Sequence, residues 1–578
     1  MNAVDLRRHA GAEALTLGFF TVLSAAWWWP LALHLRTRQL ELVPIDSAYN
    51  EWILGWGAHA LVHDPLHFFA ANAYHPHVDV LSWGDNLFAL VVLTVPLRPV
   101  LGLVGAYNLL LLASSTLTGW FTSLLLRELG AIRTAAVLGG VFAAFSSVRV
   151  MEHGHLQVLS TQWIPLVFLF GERTWRRGGW RNPVALGVAV TLVLATNLYL
   201  AMFTVIAFGS WTVVRLISRD LRPRPLLACT AAWAVAVAAC VPLYLPSVRL
   251  QAERHVVRPL TEQQGSTLEA FDPRRPPGAP IRRLAAHLDV TIGGRVVPPD
   301  NYATPGIVLL FAAITSMVVL ALRRRRVPVG SVVVYGVIAA VSGLASFGPS
   351  MRWRGRDVVA SNPFFQAPYR FLPGYDALRV PSRWLLITAF SGGVVVALLA
   401  SPALATIRSR AMRVGAVVTL AVVSQVELSA APWSLGTVTR LADRPSLEWI
   451  AGQPADTVIV ELPITGDVSS AVTQEIEGRR LLLSAEHLRR RVNGGISPYI
   501  PASYGDPVEV VNDLGVDPRA LGYLREWKVD YVLFEPADQL RYADRMRSPE
   551  QVEIDLDALD GLERVRDFGD AIVYRVRR

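Results

Sequence analysis

Ala14-Leu15-Thr16-Leu17-Gly18-Phe19-Phe20-Thr21-Val22-Leu23-Ser24-Ala25-Ala26-Trp27-Trp28-Trp29-Pro30-Leu31-Ala32-Leu33 carries no charge and follows Arg7 and Arg8. A run of this length crosses a hydrocarbon core roughly 30 Å thick. It ends in three tryptophans and a proline, which suit the membrane–water interface and not the small-residue cleavage site of a signal peptide. The expectation is an uncleaved first transmembrane helix.

Similar runs recur at 107–126, 134–148, 156–171, 184–197, 199–214, 226–245, 305–322, 327–347, 384–399 and 414–428. With 52% apolar and 17% charged residues, the chain lies outside the range of disordered proteins and of wholly soluble enzymes. The reading is an α-helical polytopic membrane protein with about 11 spans. The run 87–95 is followed by Pro96 and Pro99; it is too short to cross and reads as a helix lying in the interface. The stretch 184–214 would make one helix of roughly 46 Å, longer than the core needs, so a break at Asn197-Leu198-Tyr199 is expected.

The charges test the topology. With the N-terminus inside, the inner loops are those with Arg127 and Arg133; Arg173, Arg176, Arg177 and Arg181; Arg215, Arg219, Arg222 and Arg224; residues 323–326; and Arg408, Arg410 and Arg413. Every short Arg-rich loop then faces the cytoplasm of a plasma membrane. From Arg440 on, 18 basic residues face 25 acidic ones, a net −7; the first 439 residues hold 37 and 21, a net +16. The division expected is a membrane domain over 1–439, with a long first outer loop (36–104), and an extracytoplasmic domain over 440–578. That tail reads as a small α/β domain with strands near 457–462, 529–534 and 571–576 and a helix at 518–527. Cys229 and Cys240 stand eleven residues apart in one apolar run, too far along a helix for a disulfide.

The first outer loop is the richest in chemistry. It opens with Pro44-Ile45-Asp46-Ser47-Ala48-Tyr49-Asn50-Glu51-Trp52, and Trp52, Leu54, Trp56 and Ala60 fall at helical spacing. This predicts Trp-rich amphipathic helices on the outer membrane face. An acid there reaches a lipid-linked substrate and an aqueous acceptor together.

Here the sequence resembles the GT-C glycosyltransferases, integral membrane enzymes that draw sugars from polyprenyl-phosphate carriers. More narrowly, Asp46-x-x-x-Asn50-x-Trp52, Ala106-Tyr107-Asn108, Phe145-Ser146-Ser147, His153-x-His155-x-Gln157 and Arg379-Val380-Pro381-Ser382-Arg383 look like bacterial membrane proteins of the YfhO type. The resemblance implies a GT-C-like fold and transfer of a hexosyl or pentosyl group to an envelope glycan, lipid or protein. The family often carries paired acids at the loop start. Ser47 follows Asp46 here, so no metal ligand is assigned, and a divalent cation would need an acid from elsewhere.

Inverting glycosyl transfer needs a carboxylate to take the proton of the attacking hydroxyl. Asp46 is the candidate base, with helix capping as the alternative role. Asp85, in Trp83-Gly84-Asp85-Asn86, is the second candidate, ahead of Asp79 and Glu51; Glu51 and Asn50 are also candidate substrate contacts. Arg379 and Arg383 at the outer start of a span, with Arg149 in the same layer, are candidate phosphate ligands, because the guanidinium fork matches phosphate; interfacial anchoring is their alternative. His153, His155 and Gln157 are candidate contacts to sugar or phosphate. Their spacing does not put two metal ligands on one helix face, and a plain polar turn is the alternative. No Walker loop, dinucleotide fingerprint or nucleophile elbow is present. The arginines are split among short loops, which argues against nucleic acid. The competing functions are a transporter or flippase of lipid-linked saccharide and a non-catalytic envelope scaffold.

Overall fold

The computed structural model describes residues 3–42, 45–218, 220, 222–254, 260, 307–323, 327–353, 356–465, 471–494, 502–542 and 547–577. Arg219, residues 324–326 and most of the outer segment 246–302 lie outside them. The protein is a multi-pass α-helical membrane protein with a small strand-bearing C-terminal part. Among the described residues, seven helices are long and apolar enough to cross a membrane, and three more are apolar but shorter.

The described helices are α1 (Ala3–Trp27), α2 (Asp46–His63), α3 (Phe88–Glu128), α4 (Arg133–Ala144), α5 (Trp163–Arg177), α6 (Arg181–Leu194), α7 (Leu198–Ile217), α8 (Pro223–Arg254), α9 (Ile307–Arg323), α10 (Val329–Ala345), α11 (Leu385–Leu404), α12 (Arg410–Leu428) and α13 (Ala471–His487), besides shorter ones. The break between α6 and α7 falls where expected. Asn197 is extended (φ −161°, ψ 141°), and its side chain accepts from the Leu200 N–H at 3.1 Å. That N-cap satisfies a donor that an uninterrupted helix would not leave open.

The run 87–95 lies in a helical stretch set apart from the span after it by a break in α3 at Gly102, where φ is +74°, a left-handed conformation that glycine adopts without a Cβ penalty. One expectation changes: 134–148 and 156–171 are not two unbroken spans. The 12 residues of α4 reach only about 18 Å. The chain then passes through two short helices, Ser147–Met151 and Leu156–Leu159, before α5. Polar residues break the pattern: Ser146, Ser160, Thr161 and Gln162 are all buried here. Irregular backbone at this position survives because protein surrounds it.

Packing divides the chain into two units. One holds residues 1–33, 109–242 and 251–433; the other holds 34–108, 243–250 and 434–578. In the first, α4 crosses α11 through facing glycines. A Cβ on Gly139 would lie 2.7 Å from the Ala397 Cβ and 2.8 Å from the Gly393 carbonyl. Small residues that let backbones approach are the usual glue between membrane helices.

The second unit is built around a five-stranded sheet. Its strands are β1 (Val458–Leu462), β2 (Arg490–Arg491), β3 (Tyr531–Phe534), β4 (Leu562–Asp567) and β5 (Ile572–Val576), in spatial order β2-β1-β3-β5-β4. β1 pairs parallel with β2 and β3, and β5 pairs antiparallel with β3 and β4. The expected strands and the helix Pro518–Glu526 all form. The first-loop segment belongs to this unit by packing. Arg38–Gln39 pairs with Gly436–Thr437, and 11 residues of α2 are buried, so α2 is not a helix lying open on a membrane surface. It packs on α13. Arg98 ties the two together by donating to the carbonyls of Gly55 and Ala485, each at 2.8 Å.

A buried ionic cluster caps the sheet. Arg480 reaches Glu535 (3.0 Å), Glu477 (3.3 Å) and Asp538 (3.3 Å), and its NH1 donates to the Pro463 carbonyl at 2.7 Å. Arg491 reaches Glu461 (3.0 Å) and Glu477 (2.9 Å). Burial alone would raise the Glu535 carboxyl, but Arg480, Arg444 and Arg479 override it and hold it down to about 2.

Candidate functional site

The candidate residues fall into two groups, one in each unit. Asp46, Asn50, Glu51 and Asp85 belong to the second; Arg149, His153, His155, Gln157, Arg379 and Arg383 belong to the first.

Asp46 is the first residue of α2. The N–H groups of Ile45 and Ser47 donate to the Glu41 carboxylate, at 3.2 and 2.8 Å. The partly exposed Asp46 carboxylate sits in the first turn, where the helix dipole favours an anion. Asn50 is buried and donates to the Asp46 carbonyl at 2.7 Å, so it braces the turn. One turn on from Asp46, Tyr49 sets its hydroxyl so close to Gly84 that a Cβ there would have to displace it. The Trp83–Asn86 turn bearing Asp85 therefore abuts the start of α2.

That turn is held firmly. The Asn86 amide donates to the Leu243 carbonyl at 3.3 Å, its Oδ1 accepts from the Phe88 N–H at 3.0 Å, and Ser247 donates to the Ser82 carbonyl at 2.9 Å. Tyr74, Asp79 and Leu87 all have positive φ (59°, 55° and 49°). Such strain persists only where surroundings over-determine the backbone.

Glu51 is placed otherwise than a substrate contact would be. It is fully buried, and Gln39 donates to it. Burial, against that hydrogen bond and with Glu41 and Glu486 nearby, pushes its carboxyl up to about 8. A carboxyl raised this way supports the fold below the unfolded value near 4.5 and loses that contribution as pH rises through about 8. Thermal melts of the detergent-solubilised protein should therefore fall between about pH 5 and pH 9, and Glu51→Gln should flatten that decline.

In the first unit, Arg149 is fully buried. Its NH1 donates to Ser114 (3.3 Å), Ser115 (3.4 Å) and the Leu159 carbonyl (3.1 Å), and its NH2 to Thr118 (3.3 Å) and Thr161 (2.6 Å). It pins the irregular hairpin to α3 and is engaged away from any surface. His153 turns inward as well. Its Nδ1 lies 3.0 Å from the Val150 carbonyl, and its ring packs on Trp433. Gln157 is buried, and its Oε1 has no hydrogen-bond partner among the described residues.

His155, Arg379 and Arg383 come together around a residue that sequence reasoning left out. Glu152 is buried and meets Arg383 at Nε (3.0 Å) and NH2 (2.9 Å), with His155 Nδ1 at 3.4 Å. Burial would raise the Glu152 carboxyl, but Arg383 and His155 outweigh it and hold the group below its ordinary value. Tyr199 was also missed. Its ring lies 4.6 Å from the Arg383 Cζ, and its hydroxyl accepts from the N–H groups of Arg379 (2.7 Å) and Val380 (3.2 Å). The available signals were an acid inside the Arg149–Gln157 motif and an aromatic in the Asn197-Leu198-Tyr199 break. Arg379 and Arg383 stand here against one glutamate, an excess of positive charge suited to an anion. Among the described residues no three His, Cys, Asp or Glu side chains assemble as a metal centre.

Compared whole, the chain is similar to the arabinofuranosyltransferase AftD from Mycobacteria, at TM-score 0.53 and 14% identity over 98% of this chain. A mutant AftD structure gives 0.54 and 15% over the same share. The fold is GT-C-like. The likeness at this identity concerns architecture, and the chain spans only 40% of the AftD length. The archaeal oligosaccharyltransferase AglB from Archaeoglobus fulgidus, in complex with an inhibitory peptide and a dolichol-phosphate, aligns over 98% of this chain and 74% of its own at 14% identity and TM-score 0.47. No protein-family model matches the sequence, and no curated protein does.

Proposed function

We propose that this protein is a membrane glycosyltransferase that moves a sugar from a polyprenyl-phosphate carrier to an extracytoplasmic acceptor. The observation carrying the reading is Asp46: in a GT-C-like fold, it is a partly exposed acid in the first turn of the first-loop helix. Asp46 takes the proton of the acceptor hydroxyl as that oxygen attacks the anomeric carbon. The bond from that carbon to the carrier phosphate breaks, and the phosphate leaves with the electron pair. Arg379 and Arg383 balance its charge, since Arg pairs with phosphate through parallel charge-assisted bonds. Phosphate stabilised this way needs no separate general acid. Asp85 is the second carboxylate, and His155 and Gln157 contact sugar or phosphate. The catalytic face is the outer one of the plasma membrane, with the N-terminus in the cytoplasm; the acceptor is an envelope glycan, lipid or protein.

The test is transfer itself. Purified protein in liposomes, given a panel of polyprenyl-phosphate pentoses and hexoses, is expected to release polyprenyl phosphate with at least one donor. A flippase reading draws on the broken hairpin between α4 and α5, because transporters build sites from discontinuous helices. Movement of a labelled lipid-linked sugar across the liposome membrane without transfer would favour it.

A further inference from the structure

Arg383 already holds an anion of its own. Glu152 meets the guanidinium at two nitrogens, 3.0 and 2.9 Å away, with both side chains buried. Tyr199 lies against the guanidinium face and holds the Arg379–Val380 backbone through its hydroxyl. The cation is thus fixed by one edge and one face. Both nitrogens meet one oxygen, Oε2, and the Nε–NH2 edge they form is one that Arg can also turn to a phosphate. Buried arginine left without a counter-ion is strongly unfavourable, so the carboxylate stabilises the empty site. His155 Nδ1 stands 3.4 Å from the same carboxylate and gives it a second partner when it leaves Arg383.

Product chemistry gives this pair a use. A polyprenyl-phosphate sugar is a phosphodiester with one negative charge. The polyprenyl phosphate left after transfer is a monoester carrying about −1.5 to −2 at neutral pH. Arg383 therefore attracts the product more strongly than the donor. With nothing to displace it, the product would block the next turnover.

We propose that Glu152 is a resident competitor for lipid phosphate at Arg383, holding the guanidinium in the empty site, yielding it to the carrier, and retaking it as polyprenyl phosphate departs. No covalent bond changes; one charge-assisted hydrogen-bonded pair replaces another. The proposal rests on the lipid-phosphate donor reading above and adds the means of product release.

The test measures binding of a polyprenyl monophosphate to the full-length protein in phosphatidylcholine nanodiscs, by equilibrium titration and off-rate. Glu152→Gln is expected to bind it roughly fivefold more tightly and release it more slowly, while Arg383→Gln weakens binding by about tenfold or more. In transfer assays Glu152→Gln should keep its first turnover and slow in steady state, a split that a purely structural defect would not produce. Glu152→Asp, with its shorter reach, should tighten binding less, and it serves if the Gln variant does not fold. Unchanged or weaker binding by both Glu152 variants, with Arg383→Gln still weakened, overturns the competitor role alone. Failure of the wild type to bind polyprenyl monophosphate overturns the donor reading and this proposal together.

Discussion

Asp46→Asn is expected to cut sugar transfer about a hundred- to ten-thousandfold, the usual contribution of a positioned general base. The substitution keeps the shape of the side chain and removes the proton acceptor. It leaves the helix start intact, because the N–H groups of Ile45 and Ser47 are satisfied by Glu41. Losing the attraction between the carboxylate and the helix dipole costs about 0.3–1 kcal/mol at an exposed site. Melting temperature and membrane insertion should therefore stay close to wild type while the turnover number collapses. Retained activity would remove Asp46 as the base. Asp85→Asn is then the variant to measure, since the turn bearing Asp85 abuts the same helix start through Tyr49 and Gly84.

Arg480→Ala should damage the fold rather than the chemistry. The side chain is buried among Glu477, Glu535 and Asp538, and truncation strands those carboxylates away from water. Removing one partner of a buried ionic group costs about 3–5 kcal/mol, a large share of a domain's stability. Hydrogen exchange over β1 and β3, and protease resistance of the sheet-bearing unit, should both drop sharply, while the helices of the first unit keep their protection. The same cluster sets an acid limit. Glu535 is depressed from 4.5 to about 2, so its contribution is complete above the unfolded value and is lost as pH falls through about 2. Arg480→Ala should bring acid unfolding to a higher pH. An unchanged melting curve would show that the cluster contributes little net stability.

The helical layout was legible in the sequence because it rests on local rules. Apolar runs marked the membrane helices, and the Asn197 cap marked the α6–α7 break. β-branched stretches such as Val458–Leu462 marked the tail strands. What could not be read depends on residues far apart in the chain. Trp52, Leu54 and Ala60 looked like the face of an interfacial helix, but they are buried in a unit that includes α13. An apolar stripe shows that something will cover it and does not show what. Polar breaks at Ser146 and Gln162 were absorbed into apolar spans because their burial depends on neighbouring helices. In the site, the candidate arginines were visible as charges in outer loops, but Glu152 could be recognised only once Arg383 stood beside it. The bonds from Ile45 and Ser47 to Glu41 were hidden by the Asp that follows it.

Asn72 in the first loop donates to the carbonyls of Ser484 and Arg489, 412 and 417 residues further along the chain. At ribosomal speeds of about 5–20 residues per second, that loop would emerge roughly 20–80 seconds before its partners exist. Throughout that interval the loop has its own internal contacts, such as Trp52 to Asn72 and Trp83 on Tyr74, but the face that α13 covers stays bare. Late truncations should therefore strand that face and leave the loop open to proteolysis.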